Sequence, residues 1–336
     1  MIPLRIIFMG TAELSCASLE KLFNDKSFQL VAVVTQPDKP KGRDLKLTPS
    51  PVKILASKLN LPVLQPLRAR DGKFISELCE LKPDLMVVVA YGQILPQSIL
   101  DLPPFGCLNV HTSLLPKYRG AAPIQWAIAD GDAETGVTIM KMDTGLDTGP
   151  ILSTRRTPIL LADDSQILHD RLAQLGAELL AETIPAYVTG KIVPQPQPAE
   201  GSTYAAKIKK EDGQIDWQQS ARKIWNRLRA FTPWPGAFTF LSEQSSVGRA
   251  SSRADATAAK PQLLKIWKAE VVEKSGAPGE VLFADKTGIV VGCGQDALRI
   301  LELQREGGKR LTAEQFLAGF PLKVGAKFVA VDVSPL

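Results

Sequence analysis

Histidine is nearly missing from this chain: His111 and His169 are the only two in 336 residues. Cysteine is scarce as well, and Cys16, Cys79, Cys107 and Cys293 lie far apart. That scatter lacks the paired spacing of a zinc site or a disulfide framework, so no metal is expected and the thiols read as reduced, buried and mostly structural. No apolar run approaches the roughly 20 residues that a membrane span needs. The apolar stretch in the opening "MIPLRIIFMG" is too short for a signal peptide. A soluble, cytoplasmic protein without a membrane partner is expected. Two nucleotide signatures are missing too. "GTAELS", residues 10–15, lacks the three spaced glycines that let a backbone approach a pyrophosphate, and no Gly-Lys-Ser/Thr follows a glycine-rich turn.

Apolar residues are plentiful. With 45% hydrophobic and 22% charged residues, a chain of this length exceeds one ordinary core and is expected to form two domains. "LRIIFMG", "FQLVAVVTQP" and "DLMVVVAYG" are continuous apolar runs ending at turn residues, separated by helical segments such as "SCASLEKLFND" and "SPVKILASKLN". Such alternation predicts βαβ units and a mostly parallel sheet covered on both faces, the α/β class. "GCLNVH", "TGVTIMKM" and "GPILSTRRTPI" read as further strands. "DSQILHDRLAQLGAELLAETIPAYVTG" reads as a helix, with Asp164 or Ser165 as its N-cap and Gly190 as its stop. An α/β domain is therefore expected over residues 1–190. Residues 191–207 break the pattern with Pro, Gly and charge, as a linker does. Over 208–336, the helical "SARKIWNRLRAF" and the short runs "LLKIWKAEVV", "GEVLFAD", "GIVVGCG" and "ALRILEL" predict a small β-barrel with one helix. Residues 243–262 are low in large apolar side chains and read as a flexible insertion between two strands.

The net charge of +5 conceals an asymmetry. Residues 1–204 carry 20 Lys and Arg against 21 Asp and Glu, whereas residues 205–336 carry 20 against 14. A basic C-terminal part suits a polyanionic partner. A second basic cluster, "QPDKPKGRDLK", follows the second predicted strand. Its Lys39, Lys41, Arg43 and Lys46 are interleaved with Pro and Gly, which excludes a regular helix or a central strand.

The scarce imidazole sits in "CLNVHTSLLPKYRGAAP", residues 107–123. In open α/β sheets active residues gather beyond the carboxyl ends of strands. Asn109 and His111 are two apart on such a strand and share a face. An amide able to donate to a developing oxyanion would then stand beside an imidazole able to move protons near neutral pH. "MDTGLDTGP", a turn-rich stretch after another strand, brings Asp143 and Asp147. Either carboxylate would fix the imidazole's tautomer and stabilise its protonated form. The plainer alternative is a hydrogen-bonded structural histidine and two turn-forming aspartates.

Taken together, "NVHTSLLPKYRGAAPIQWAI" and "GDAETGVTIMKMDTGLDTGPIL" closely resemble the methionyl-tRNA formyltransferases. The resemblance continues through "VVTQPDKPKGRDLKLTPSPVK", "MVVVAYGQILP" and "FTPWPGA", in matching order over nearly the full chain. It implies a Rossmann-like formyltransferase domain followed by an OB-like barrel. It also implies transfer of the formyl group of 10-formyl-tetrahydrofolate, as a cosubstrate, to the α-amino group of initiator methionyl-tRNA. A monomer is expected. Carried over, the family's catalytic trio falls on Asn109, His111 and Asp147. Ser113, Leu114, Leu115 and Pro116 correspond to its folate-contacting turn, and Met86, Tyr91 and Gly92 to a wall of the folate pocket. Of Val87, Val88 and Val89, at least two are expected to be plain sheet core. Lys39, Lys41, Arg43 and Lys46 would reach the tRNA acceptor end, Arg43 foremost, and Lys207, Lys209 and Lys210 would extend the basic surface. Two positions depart from the family pattern: Ala12 and Leu14 stand where Pro and Phe are common. A small-amine formyltransferase would share the trio but lack the basic loop and basic barrel. In a non-catalytic RNA-binding module the trio would be structural.

Overall fold

The computed structural model describes residues 2–41, 45–242 and 261–331. Arg43 and nearly all of the 243–262 insertion lie outside the described residues. The chain forms two compact units. The first takes in residues up to Ile124 together with Ala133–Leu160 and Ile167–Ala206; the second takes in Gln125–Asp132, Leu161–Gln166 and the chain from Lys207 onward.

Seven strands build the sheet of the first unit: β1 (Leu4–Gly10), β2 (Phe28–Val34), β3 (Val63–Leu64), β4 (Leu85–Val89), β5 (Cys107–His111), β6 (Glu134–Lys141) and β7 (Ile151–Pro158). Their order is β7-β6-β5-β4-β1-β2-β3. β1 to β5 run parallel, and β6 is antiparallel to both of its neighbours. Alternate residues of the apolar runs face opposite sides. Ile7, Met9, Ala32, Val34, Met86 and Val88 pack on Phe74, Leu78, Leu95 and Ile99. Full burial of each of the larger of these side chains contributes about 1.5–3 kcal/mol, and burial on both faces is why these strands read as unbroken apolar runs. Helices Leu14–Asn24 and Pro51–Lys58 follow β1 and β2. Ser50 caps the second of these, accepting from Lys53 N at 3.0 Å. Because the chain runs from β1 outward to β2 and β3 and only then returns to β4, its winding reverses between β1 and β4. Ligands gather at such a switch point in open α/β sheets.

Of residues 191–207, expected as a linker, 191–206 belong to the first unit. Gln195 and Ile151 exchange both backbone hydrogen bonds, at 2.7 and 2.8 Å, and Tyr204–Ala205 pair in parallel with Arg119–Gly120. The basic stretch after β2 is a two-stranded hairpin, Lys39–Lys41 against Lys46–Thr48.

In the second unit, β8 (Ala237–Leu241), β9 (Gln262–Val272), β10 (Val281–Asp285), β11 (Gly288–Gly292), β12 (Ala297–Arg305), β13 (Arg310–Thr312) and β14 (Phe328–Val329) form an antiparallel sheet, ordered β10-β11-β12-β9-β8-β14 with β13 on β12. The sheet curls into a half-barrel whose edges meet: Val281 N donates to Ala326 O at 2.8 Å and Phe328 N to Gly279 O at 2.7 Å. Inside, Trp217 donates to Thr239 Oγ1 at 2.9 Å and stacks on Phe328. The expected helix is Ala221–Phe231, capped by Ser220. A second helix, Ala313–Gly319, was not expected. Thr312 and Gln315 form its capping box, a Thr-x-x-Gln signature that the sequence carries. No helix among the described residues is long and apolar enough to cross a membrane.

Candidate active site

β5 ends at His111, and its register against β6 pairs Asn109 with Met140 and His111 with Thr138. The switch between β1 and β4 opens beside it as a cavity of about 590 Å³. Asn109, His111 and Asp147 all line this cavity, with Leu14, Val88, Ala90, Tyr91, Gly92, Ile94, Leu95, Met140 and Met142 supplying apolar wall. The residues named come from four separate segments of sequence that converge on one space.

His111 is buried, and its two ring nitrogens meet different partners. Nε2 lies 2.9 Å from the carbonyl oxygen of Tyr118. A carbonyl can only accept, so Nε2 carries the hydrogen and, in the neutral ring, Nδ1 holds the lone pair. Nδ1 faces Asp147 Oδ2 at 3.7 Å, beyond hydrogen-bond range but close enough for strong attraction once the ring is charged. The tautomer is thus set by Tyr118 O, where the sequence suggested a carboxylate. Asp147 has its own anchor, because Gly120 N donates to Oδ2 at 2.8 Å. Its backbone is left-handed, φ 53°, a region that asparagine and aspartate tolerate better than most residues. Gly120 has φ 114°, and a Cβ there would lie 2.7 Å from Ala205 O, so the tight approach of these two segments requires glycine. The Asn109 side chain is half-buried and makes no hydrogen bond among the described residues. Asp143 lines the rim but is occupied, accepting from Gly145 N and Thr148 Oγ1.

Not every expected residue reaches the cavity. Ser113, Leu114, Leu115 and Pro116 do not line it, because this turn is tied down behind β5. Thr138 Oγ1 donates to Ser113 O at 2.7 Å and accepts from Leu115 N at 3.2 Å, while Ser113 Oγ donates to Lys117 O. Met86 shares a face with Val88 but sits three residues back from the strand end, and it is packed in the core with Ile7 and Met9. Val88 lines the cavity, whereas Val87 and Val89 are sheet core. Tyr91 and Gly92 line it. The Tyr91 hydroxyl is buried with no partner among the described residues, and burial pushes its pKa up to about 12. Of the two departures, Leu14 lines the cavity, and Ala12 lies beside Ala90 O without lining it. Met140, Met142, Tyr204 and Gln93 were not singled out in the sequence. Met140 follows from the register opposite Asn109, but Tyr204 carries no local signal.

Lys39 and Lys46 are exposed on the hairpin, Lys39 donating to Gln36 Oε1 at 2.6 Å; Lys41 pairs with Lys46 in the backbone register. Lys207, Lys209 and Lys210 are exposed at the start of the second unit. Cys107 and Cys293 are buried, Cys16 is half-buried, and Cys79 is exposed, so the expectation of buried thiols holds for only part of the set.

An open α/β sheet whose switch-point cavity gathers an amide, an imidazole and a carboxylate has the layout of an α/β enzyme's active site. The formyl transferase family matches residues 4–184, and its C-terminal domain matches residues 207–321. The methionyl-tRNA formyltransferase of Geobacter sulfurreducens is 49% identical over 327 residues, covering 97% of each chain. The chain belongs to the methionyl-tRNA formyltransferase family. Among solved structures, a sugar 3N-formyl transferase crystallised in the presence of dTDP and 5-N-formyl-THF shares the fold, with a TM-score of 0.62 at 19% identity, covering 88% of this chain and 97% of that one. HypX from Aquifex aeolicus in complex with tetrahydrofolic acid gives a TM-score of 0.56 at 18% identity, covering 93% of this chain and 46% of that one.

Proposed function

We propose that this chain transfers a formyl group from 10-formyl-tetrahydrofolate to the α-amino group of the methionyl residue on initiator tRNA. The reading is carried by the meeting of Asn109, His111 and Asp147 in the switch-point cavity, in a chain 49% identical to a methionyl-tRNA formyltransferase. The residues present suit a reduced folate. Val88, Ala90, Ile94 and Leu95 offer apolar surface to a flat heterocycle, and the orphaned Tyr91 hydroxyl offers a hydrogen bond. When bound, the folate supplies the formyl group and the nitrogen that takes up the electron pair of the broken C–N bond.

The side chains divide the rest of the chemistry. Asn109 donates through its amide to the oxygen on which negative charge builds as the amine attacks. His111, with its hydrogen fixed on Nε2 by Tyr118 O, accepts the amine's proton at Nδ1 and returns it to the departing nitrogen, directly or through a water. The Asp147 carboxylate stabilises the imidazolium across 3.7 Å. Lys39, Lys41 and Lys46 on the hairpin, with Arg43, and Lys207, Lys209 and Lys210 neutralise phosphates of the tRNA. The enzyme acts as a cytoplasmic monomer on this reading.

The test is formyl transfer by the purified protein to charged initiator methionyl-tRNA, run beside charged elongator tRNA, free methionine and small amine acceptors. Fast formylation of the initiator species alone is expected. Activity on a small amine alone would replace the acceptor and keep the chemistry, and inactivity with every acceptor would favour a binding module.

A further inference from the structure

We infer that Gln197 is a positioning residue for this reaction, acting through a strap, residues 195–205, that holds both partners of the His111 ring. The inference rests on the catalytic reading of His111 and Asp147 given above. His111 is defined by Tyr118 O on Nε2 and by Asp147 Oδ2 opposite Nδ1, and the strap reaches each of them. Thr203 Oγ1 accepts from Tyr118 N at 2.8 Å, and Thr203 O accepts from Arg119 N at 2.9 Å. The strand pair Tyr204–Ala205 with Arg119–Gly120 then sets the Gly120 N–H that anchors the Asp147 carboxylate.

Gln197 closes the arrangement from the other side. Its Nε2 donates to Asp147 O and Gly149 O, both at 2.8 Å. Its Oε1 accepts from Arg119 Nε at 3.1 Å and Nη2 at 2.6 Å. One amide therefore ties the Asp147 loop to the Arg119–Gly120 strand with four hydrogen bonds. The loop needs such a tie. Asp147 holds a left-handed backbone, which persists in a non-glycine residue when surrounding bonds over-determine it. On the opposite side, Gly149 is pressed so closely on β6 that a Cβ would lie 1.9 Å from Lys141 O. The loop is clamped between β6 and Gln197, and the clamp fixes where the carboxylate stands relative to Nδ1. Gln197 makes none of these bonds to the cavity's reacting groups themselves; it acts through Asp147.

The experiment compares full-length wild type, Gln197→Ala and Gln197→Glu, each also in an Asp147→Ala background, by formylation of charged initiator methionyl-tRNA with kcat and KM separated. Gln197→Glu keeps the acceptor for Arg119 but lacks both donors to the loop, and it remains informative if the alanine variant fails to fold. Both variants are expected to lose kcat by about 10²-fold, the scale of an ångström-sized misplacement, with either KM changed less than about threefold. In the Asp147→Ala background neither should cost anything more, because residues acting through one group are not additive. Wild-type kcat in Gln197→Glu overturns the inference, as does a loss that persists undiminished in the Asp147→Ala background. Full activity of Asp147→Ala alone overturns the catalytic reading and the inference together, a result distinct from the failure of Gln197.

Discussion

At the scale of single residues, the site depends on which atom of each side chain is already engaged. Tyr118 O occupies His111 Nε2, and Gly120 N occupies one oxygen of Asp147, so Nδ1 of the ring and the Asp147 carboxyl group are left facing each other. Asn109 is unengaged among the described residues and keeps both amide hydrogens for an incoming oxygen. Asn109→Ala is therefore expected to lower the formylation rate by about 10²–10³, the cost of removing one oxyanion donor. Single-turnover kinetics at saturating donor measure this, and a loss confined to KM would assign Asn109 to binding instead. The scarcity of histidine and the Asn-x-His spacing make Asn109 and His111 legible from the sequence. The engagement of Nε2 by a backbone carbonyl seven residues on was not legible, because no side-chain pattern encodes it.

At the scale of elements, the strands are readable for a physical reason: a parallel sheet buried on both faces demands largely apolar runs, and β1, β2 and β4 carry them. The helices were readable from period and caps. Helix Ala221–Phe231 begins at Ser220, whose Oγ accepts from Lys223 N. Ser220→Ala is expected to destabilise the start of this helix by about 1 kcal/mol, seen as faster hydrogen exchange of its first-turn amides; unchanged exchange would mean that packing alone holds the end. The strap at residues 195–205 was read as a linker because Pro, Gly and charge carry no period, although its backbone is hydrogen-bonded to the first unit at Ile151, Arg119 and Ala121. The turn at Ser113–Pro116 shows the converse. Its motif is conspicuous, yet its bonds run to Thr138 and Lys117 and it delivers Tyr118 to the ring rather than itself to the cavity.

At the scale of the whole molecule, each unit buries a thiol. Cys107 in the first and Cys293 in the second are both pushed by burial from 9.0 up to about 12, and Tyr91 from 10.0 to about 12. Folded, these groups keep their protons; unfolded, they ionise around their ordinary values. Above pH 9 the unfolded chain binds fewer protons, so stability falls as pH rises between about 9 and 12. Urea unfolding midpoints should decline across that window, and a Cys107→Ala, Cys293→Ala variant should decline less steeply. Equal slopes would show that other groups govern alkaline unfolding.

On the proposed mechanism, His111 carries the proton of the reacting amine. The most direct test is single-turnover formylation of charged initiator methionyl-tRNA by wild type and His111→Ala at saturating 10-formyl-tetrahydrofolate. A loss of about 10²–10⁴ in the chemical step, the range for a positioned acid–base group, with the donor still bound, is the predicted result. A rate for His111→Ala equal to that of wild type would contradict it.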